Sequence, residues 1–465
     1  MFRLKILMSM LGKAFGRSRV QFIPKVPSEL ASMEHSLCLH QWDAPCVNLA
    51  TGKIKACCRV SPREPSSIGV ATLDENIFFN DQHNIDRRRD MLSGKKHPEC
   101  NSCWNLEAKG APSPRIGVPT FLYEMEKRLS LPRKKLIEMM LDPDKHPEIL
   151  RSHNYFELEI SLGNRCDLAC VYCSYTYSSR IAQEEIEAGT LPRDKYEFEL
   201  KRDNEKFQKT FWKWFENDCI QTLKVINFIG GEPLINDLLY ENIEQVLKIC
   251  ERIPSRDRRK RTLQIITNLN APPHYMKKFM NILPRLSKHF EVSILVSMES
   301  TGEKAEYIRY GVSWARFVSN FEELLNESRT YIFQLGFIPT ISALSVTSTE
   351  EFLHFAITMT KKHSWPVFLG YNQVMDPQEI SVLKLHKGFE SYLTRAVNLL
   401  ESERPHLPGH TQDFLQRLTQ LRDTIKTLEV DPARNKEVRR WIEDNDRKRG
   451  TDFYRIFPEY NQLLS

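Results

Sequence analysis

The chain has 465 residues, of which 41% are hydrophobic and 27% are charged, a composition typical of a globular protein and not of a disordered one. Its formal net charge of +6 is too small for this length to indicate a nucleic-acid-binding protein. The sequence shows no internal repeat and no apolar run near the roughly 18 residues that a membrane helix needs. We therefore expect neither a nucleic-acid nor a membrane partner.

A basic segment begins the chain. The first 27 residues contain six basic residues and no acidic ones. Lys13, Arg17 and Arg19 interrupt its short apolar stretches, which favours a basic N-terminal arm over residues 1–33, with a targeting or membrane-surface segment as the alternative. The cysteines are odd in number and clustered, which is typical of a reducing compartment and predicts a cytoplasmic location.

Residues 34–118 are poor in regular patterns and rich in cysteine. This segment contains six of the eleven cysteines: Cys38, Cys46, Cys57, Cys58, Cys100 and Cys103. Such a composition predicts a small domain stabilised by something other than a large core. Residues 119–150 are predicted to form a helical linker that ends in the turn-forming sequence LDPDKHP at residues 141–147.

Residues 151–375 alternate short apolar runs with amphipathic helical patterns. The predicted strands are FELEISL (156–162), LKVINFI (223–229), LQIITNL (263–269), VSILVSM (292–298), FQLGFIPTI (333–341) and PVFLGYN (366–372). Between the first two, Phe207, Phe211 and Phe215 recur at helical spacing. This alternation predicts an α/β fold of parallel strands, in which active-site residues follow the C-terminal ends of the strands.

Three cysteines follow the first predicted strand. Cys166, Cys170 and Cys173 lie in NRCDLACVYCSYTY, with Tyr172 before the last of them. Three thiolates on a four-iron cluster leave one iron without a protein ligand, where an exogenous molecule can coordinate. A zinc site would need a fourth ligand nearby, and neither a second C-x-x-C nor an H-x-H pair follows within thirty residues.

This motif resembles the hallmark C-x3-C-x-aromatic-C of the radical S-adenosylmethionine enzymes. The resemblance implies a partial (β/α)6 TIM-like barrel and a [4Fe–4S] cluster on Cys166, Cys170 and Cys173. Its free iron would chelate S-adenosylmethionine, and an electron from a reductant such as flavodoxin or ferredoxin would generate a 5′-deoxyadenosyl radical that abstracts hydrogen from a substrate.

The ends of the next strands also resemble that family. Gly230, Gly231, Glu232 and Pro233 match its GGEP element, and a carboxylate there suits the ammonium group of the cofactor. Asn268 follows the third strand as in the family's TN dipeptide. Ser297 and Glu299 follow the fourth strand at positions where the family often places a ribose-contacting serine and a polar partner, although many relatives have Asp where this chain has Glu299.

Two further observations concern residues whose roles stay open. Arg309 resembles a family arginine that reaches the cofactor's carboxylate, for which a bidentate guanidinium is suited; a solvated helix arginine is the alternative. No catalytic base or radical acceptor is identified, although Tyr175, Tyr177 and Cys219 are conceivable radical partners. The substrate is predicted to be a peptide or protein, with a small sugar or nucleotide as the alternative.

The N-terminal cysteines resemble a second family element. Cys38 and Cys57 bracket Gly52 in the C-x9–15-G-x4-C signature of the half-size SPASM module called the twitch domain, and Cys100-x2-Cys103 follows. The resemblance implies that Cys38, Cys57, Cys100 and Cys103 bind an auxiliary [4Fe–4S] cluster, with Cys46 and Cys58 spare. Known twitch domains usually follow the barrel, whereas this one would precede it.

Alternatives from other classes are a four-cysteine zinc site in the N-terminal region and an iron–sulfur or zinc protein without catalysis. Residues 376–465 are predicted to form a helical C-terminal extension, because apolar residues recur at helical spacing from Phe389 to Leu400 and from Phe414 to Leu428.

Overall fold

The computed structural model describes residues 26–60, 79–108, 113–152, 154–194, 196, 205–253, 261–327, 329–403 and 411–465. Most of the basic arm predicted over residues 1–33 lies outside this range. None of the helices in the described residues combines the length and apolar character needed to cross a bilayer.

A sheet of eight strands forms the centre of the described part of the chain. The strands, in chain order, are β1 (Cys46–Asn48), β2 (Lys53–Lys55), β3 (Glu157–Ser161), β4 (Ala169–Cys170), β5 (Val225–Ile229), β6 (Arg261–Thr267), β7 (Phe290–Val296), β8 (Arg309–Tyr310), β9 (Ile332–Phe337), β10 (Thr340–Ile341), β11 (Phe368–Leu369) and β12 (Asn372–Gln373). The order across the sheet is β11-β9-β7-β6-β5-β3-β1-β2, while β4 pairs with β8 and β10 with β12 in two separate ladders.

The six strands predicted from the sequence are confirmed as β3, β5, β6, β7, β9 and β11. All five contacts between neighbours in this series are parallel, so the C-terminal ends of the six strands meet at one edge. The fold is thus an α/β protein with a large, mostly parallel sheet. That sheet has two edge strands, β2 and β11, and the six predicted strands lie side by side in it in chain order.

The N-terminal region pairs with the main sheet. The hairpin β1–β2 is antiparallel, and β1 then pairs in parallel with β3, so that Cys46 faces Glu159 across the strands. The cysteine-rich segment therefore extends the main sheet at its β3 edge. Its apolar residues, including Trp42 and Ile54, belong to the same buried core as those of the sheet.

Helices precede, connect and follow the strands. They are α1 (His40–Asp43), α2 (Gln82–Leu92), α3 (Asn101–Ala108), α4 (Val118–Leu129), α5 (Arg133–Leu141), α6 (Ser179–Glu187), α7 (Glu205–Trp214), α8 (Ile220–Thr222), α9 (Asp237–Arg252), α10 (Pro273–Leu286), α11 (Gly302–Ile308), α12 (Trp314–Glu327), α13 (Thr349–His363), α14 (Glu390–Glu403), α15 (Thr411–Ile425), α16 (Pro432–Arg449), α17 (Phe453–Ile456) and α18 (Tyr460–Leu463).

Local sequence explains where the main helices begin and which face they bury. In α9, the side chain of Asn236 caps the first turn by accepting a hydrogen bond from Leu238 N at 3.2 Å. Leu239, Ile243 and Leu247 recur at a spacing of four and are fully buried. Helix α10 begins at Pro273, where a missing amide donor costs nothing.

Helices α14 to α18 lie in the region predicted as a helical extension. Its aromatic residues pack against α11, because the Tyr307 ring lies 5.2 Å from that of Phe453 and 6.0 Å from that of Phe457. An ion pair at 3.0 Å between Arg455 and Glu303 supports the same contact. Since α11 leads directly into β8, the extension supports the segment that pairs with the cysteine loop.

Candidate metal and cofactor site

The three clustered cysteines lie on a loop at the C-terminal end of β3, the position predicted from the sequence. Cys166, Cys170 and Cys173 are all partly exposed. The loop includes β4, which pairs with β8 so that Cys170 lies opposite Arg309 and Ala169 opposite Tyr310. A short backbone ladder therefore joins the cysteine loop to the segment that follows α11.

Short polar contacts close this cysteine loop onto itself. Asn164 Nδ2 donates to Tyr175 O at 2.9 Å, and Ser178 Oγ donates to Leu168 O at 2.6 Å. Ser178 also caps α6, whose backbone begins where the loop ends. The amide of Cys166 donates to Ser179 Oγ at 3.1 Å. The loop shape is thus largely determined by residues within it.

The paired glycines after β5 pack against the base of this loop. Gly230 and Gly231 have φ values of +105° and +52°, which L-residues with a side chain rarely adopt. A Cβ on Gly231 would lie 2.2 Å from Arg165 O, and the next amide, Glu232 N, donates to that same oxygen at 2.8 Å. Only glycine allows β5 to approach the cysteine loop this closely.

Glu232 joins the ends of two neighbouring strands. Its carboxylate is fully buried and accepts hydrogen bonds from Leu234 N at 3.0 Å, Thr267 Oγ1 at 2.5 Å and Asn268 N at 2.5 Å. Burial raises the pKa of Glu232 to about 7, and these hydrogen bonds oppose that rise. Glu232 is predicted to contact the cofactor, and in the folded chain its oxygens accept hydrogen bonds from the turn after β5 and from the end of β6. Pro233, also predicted, begins the buried turn Pro233–Ile235 that follows.

A second tether joins the cysteine loop to the end of β6. Asp167, between the first two cysteines, accepts hydrogen bonds from Asn268 Nδ2 at 3.1 Å and from Asn270 Nδ2 at 2.8 Å. Asn320 donates to the carbonyls of Leu269 and Ala271, both at 2.9 Å. Asp167, Asn270 and Asn320 were not predicted from the sequence. The N-x-N pattern after a buried strand is the local signal that could have indicated them.

A buried network joins Tyr172, Glu299 and Arg309. Arg309 Nη2 lies 2.6 Å from Glu299 Oε2, and Tyr172 Oη donates to the same carboxylate at 3.2 Å. Arg309 Nη1 is 3.9 Å from Cys170 Sγ. Burial alone would lower the pKa of Arg309, but the adjacent Glu299 carboxylate raises it. The three residues, predicted as separate cofactor contacts, therefore contact one another around a cysteine of the loop.

The remaining predicted residues occupy different places. Ser297 follows β7 and its amide donates to Thr267 O at 2.8 Å, so it lies at the same edge of the sheet as the cysteine loop. Tyr175 is partly exposed and Tyr177 is 54% exposed. Cys219 is fully buried and precedes the N-terminal end of β5. The cysteine loop lies at the C-terminal ends of the strands, so the two are at opposite ends of the sheet.

The four N-terminal cysteines predicted as ligands are all buried. Burial raises the pKa of the Cys38, Cys100 and Cys103 thiols, and the negative charge that Cys57 can bear raises each of them further. In the described residues, no group of three or more His, Cys, Asp or Glu side chains converges as a single metal ion would require.

Of the two spare cysteines, Cys46 lies on β1 and Cys58 follows β2. Cys46 on β1 is buried and lies in register with Lys55 on β2 and with Glu159 on β3. Burial raises the pKa of the Cys46 thiol, and Glu159 and Cys58 raise it further. Cys58 itself is exposed. The assignment of Cys46 and Cys58 as spare stays a prediction.

One face of the parallel strands presents a row of polar side chains. Asn227, Gln264, Ser293 and Gln334 are paired in register across β5, β6, β7 and β9, and each is at most 6% exposed. Ser293 Oγ lies 3.5 Å from Gln264 Oε1 and 3.4 Å from Gln334 Oε1. In the described part of the chain, Asn227 Oδ1 and Gln334 Nε2 have no hydrogen-bond partner. Buried polar atoms of this kind can bind a polar molecule.

Comparisons with known proteins add little to this geometry. No protein-family model matches the chain, and no curated protein matches it. One similar solved structure is described as native anSMEcpe with bound AdoMet. It has a TM-score of 0.37 and 16% identity, and the alignment covers 53% of this chain and 61% of that one. The proposals below therefore depend on the site itself.

Proposed function

We propose that this protein is a radical S-adenosylmethionine enzyme in which Cys166, Cys170 and Cys173 bind a [4Fe–4S] cluster. The observation that supports it most is the loop of three partly exposed thiols at the C-terminal end of the first parallel strand. Soft thiolate ligands suit an iron–sulfur cluster, and three of them leave one iron for a second ligand. With S-adenosylmethionine bound, such a cluster supplies an electron and so a 5′-deoxyadenosyl radical that takes hydrogen from a substrate.

The residues around the loop fit such a group. Gly231 lets the backbone approach the loop, and Asp167 fixes the segment between the first two cysteines through Asn268 and Asn270. Arg309 provides a buried positive charge beside Cys170, and its Nε has no hydrogen-bond partner in the described residues. These groups orient the thiols and offset the negative charge of thiolates and cluster.

The contacts to S-adenosylmethionine are proposed for residues at the same edge of the sheet. They are Tyr172, Gly230, Gly231, Glu232, Pro233, Asn268, Ser297, Glu299 and Arg309. Glu232 and Glu299 also bind groups of the protein, and we propose that they fix the strand ends and Arg309 in addition to contacting the cofactor.

The N-terminal cysteines are proposed to bind an auxiliary [4Fe–4S] cluster. Cys38, Cys57, Cys100 and Cys103 are buried and influence one another electrostatically. A four-thiolate site has no open position, which suits electron transfer and not substrate binding. If these four cysteines bind zinc, the proposal of an auxiliary cluster is wrong, but the proposal for Cys166, Cys170 and Cys173 still stands.

The substrate is proposed to be a peptide or protein, with a small sugar or nucleotide as the alternative, and the electron donor to be a flavodoxin or ferredoxin. The polar row of Asn227, Gln264, Ser293 and Gln334 supports a substrate with hydrogen-bonding groups. It does not discriminate between an amide and a hydroxyl, since carboxamide side chains pair with both.

The test is anaerobic reconstitution followed by iron and sulfide analysis and an assay for 5′-deoxyadenosine with dithionite and S-adenosylmethionine. We expect about eight irons per chain for two four-iron clusters. Cys173→Ala should retain about four and form no 5′-deoxyadenosine. The control Cys58→Ser, at an exposed and unassigned cysteine, should keep all the iron. Product formation by Cys173→Ala, or no iron in the wild type, would contradict the proposal.

A further inference from the structure

The last turn of α16 brings a buried arginine to the cysteine loop. Arg449 ends this helix, and its side chain is only 6% exposed. Its guanidinium carbon lies 5.0 Å from the centre of the Tyr310 ring. Tyr310 is the residue of β8 that pairs with Ala169, directly before Cys170. The helical extension therefore places a positive charge beside the β4–β8 ladder that carries Cys170.

This charge is only partly balanced by the protein. Nη2 of Arg449 lies 3.4 Å from Glu184, a carboxylate that also pairs with Lys448 at 3.5 Å. The Nε and Nη1 atoms are buried and have no hydrogen-bond partner in the described part of the chain. A buried guanidinium with unused donors is costly unless another negative group lies nearby. Among the neighbouring groups, the thiolates of the cysteine loop would be negative when they bind iron.

The other arginines beside this loop already have protein partners. Arg309 is already paired with Glu299 at 2.6 Å. Arg180 also lies near the Tyr310 ring, at 5.0 Å, but its Nη1 donates to Asp167 O. Arg449 is therefore the cation in this group whose Nε and Nη1 donors are both unused.

We propose that Arg449 is a positioning residue that sets the reduction potential of the cluster on Cys166, Cys170 and Cys173, which makes the C-terminal extension part of the active site. The inference depends on the proposed function. A fixed positive charge stabilises the reduced, more negative cluster. It thereby favours uptake of an electron from a low-potential donor.

The experiment is a redox titration of the reconstituted full-length protein, followed by electron paramagnetic resonance of the reduced cluster. Arg449→Gln should lower the ratio of reduced to oxidised cluster about tenfold at a given potential, which is a shift of about 59 mV for one electron. Arg449→Lys, which keeps the positive charge, should have a potential close to that of the wild type. The control Arg447→Gln removes the same charge from a side chain of the same turn that is 77% exposed, and it should shift the potential little.

A second variant tests the direction of the shift in reduction potential in a protein that keeps Arg449. Glu184→Gln removes the carboxylate that partly neutralises Arg449, so the potential should shift upward, opposite to that of Arg449→Gln. A purely structural role of α16 would not produce shifts of opposite sign. Unchanged potentials in both variants, with a wild-type cluster present, would overturn this inference alone. Absence of a cluster from the wild type would instead contradict the proposed function.

Discussion

Arg309 Nη2 lies 2.6 Å from Glu299 Oε2, and both side chains are almost completely buried. The two residues come from the segments that follow α11 and β7, and they meet beside Cys170. A buried ion pair of this kind stabilises a structure little by itself, but it is expensive to break, because one charge then remains buried without its partner.

We predict that Glu299→Gln lowers the free energy of unfolding by about 3–5 kcal/mol, because Arg309 loses its counter-charge in a buried site. The measurement is urea unfolding of the metal-free protein. The matched control is Glu216→Gln, which breaks the exposed pair with Arg252 at 2.7 Å and should cost about 0–1 kcal/mol. Similar losses in the two variants would mean that the buried pair has no special role.

Gly231→Ala should displace the cysteine loop. Its Cβ would meet Arg165 O at 2.2 Å, so backbone must move in addition to the cost of a positive φ. Gly302→Ala is the matched control, since Gly302 has nearly the same φ, +51°, and nothing within 4 Å of an added Cβ. After reconstitution, we expect Gly231→Ala to lose about four irons and the control none. Full iron content in Gly231→Ala would show that the loop tolerates the shift.

Asp167→Asn should loosen the same loop without changing its size. Each carboxylate oxygen accepts one hydrogen bond, from Asn268 or from Asn270. The asparagine side chain of the variant has only one oxygen that can accept, and its NH₂ group would face the second donor. We expect a loss of about 1–3 kcal/mol in stability and faster alkylation of Cys166, Cys170 and Cys173 in the metal-free protein, followed by mass spectrometry. Alkylation at the wild-type rate would show that Asp167 does not hold the loop in place. Cys250, which is buried on α9, provides the internal reference.

Glu232 should make the protein less stable as the pH rises. Burial raises its pKa from 4.5 to about 7 in the folded chain, so the folded state binds more protons than the unfolded state between these values. Its contribution to stability therefore falls through this window, by up to about 3 kcal/mol, and is constant above it.

Glu232→Gln cannot ionise, so this part of the pH dependence should vanish in it. The measurement is urea unfolding of both proteins at pH 5 and at pH 8. Relative to the variant, the wild type should have a lower free energy of unfolding at pH 8 than at pH 5. Parallel pH dependences of the two proteins would show that Glu232 ionises normally.

The alternation of apolar runs and helical patterns was sufficient to predict the six parallel strands. Runs such as LKVINFI are buried on both faces or nearly so, and the residues between them repeat at helical spacing, so local sequence specifies both element types. The position of the cysteine loop follows from the same pattern, because a motif directly after a strand must lie at that strand's C-terminal end. The predicted helical extension rests on the same kind of periodicity.

The partners of those residues depended on the tertiary structure. No local pattern indicates that Cys46 would pair with Glu159, or that Arg449 would lie over Tyr310, because these contacts join segments more than a hundred residues apart. The same holds for Glu232, whose carboxylate accepts hydrogen bonds from Thr267 and Asn268 once β5 and β6 lie side by side. Sequence thus determined the elements and the reactive cysteines. Burial and hydrogen bonding between distant segments, which depend on the whole packed chain, decided which charges surround them.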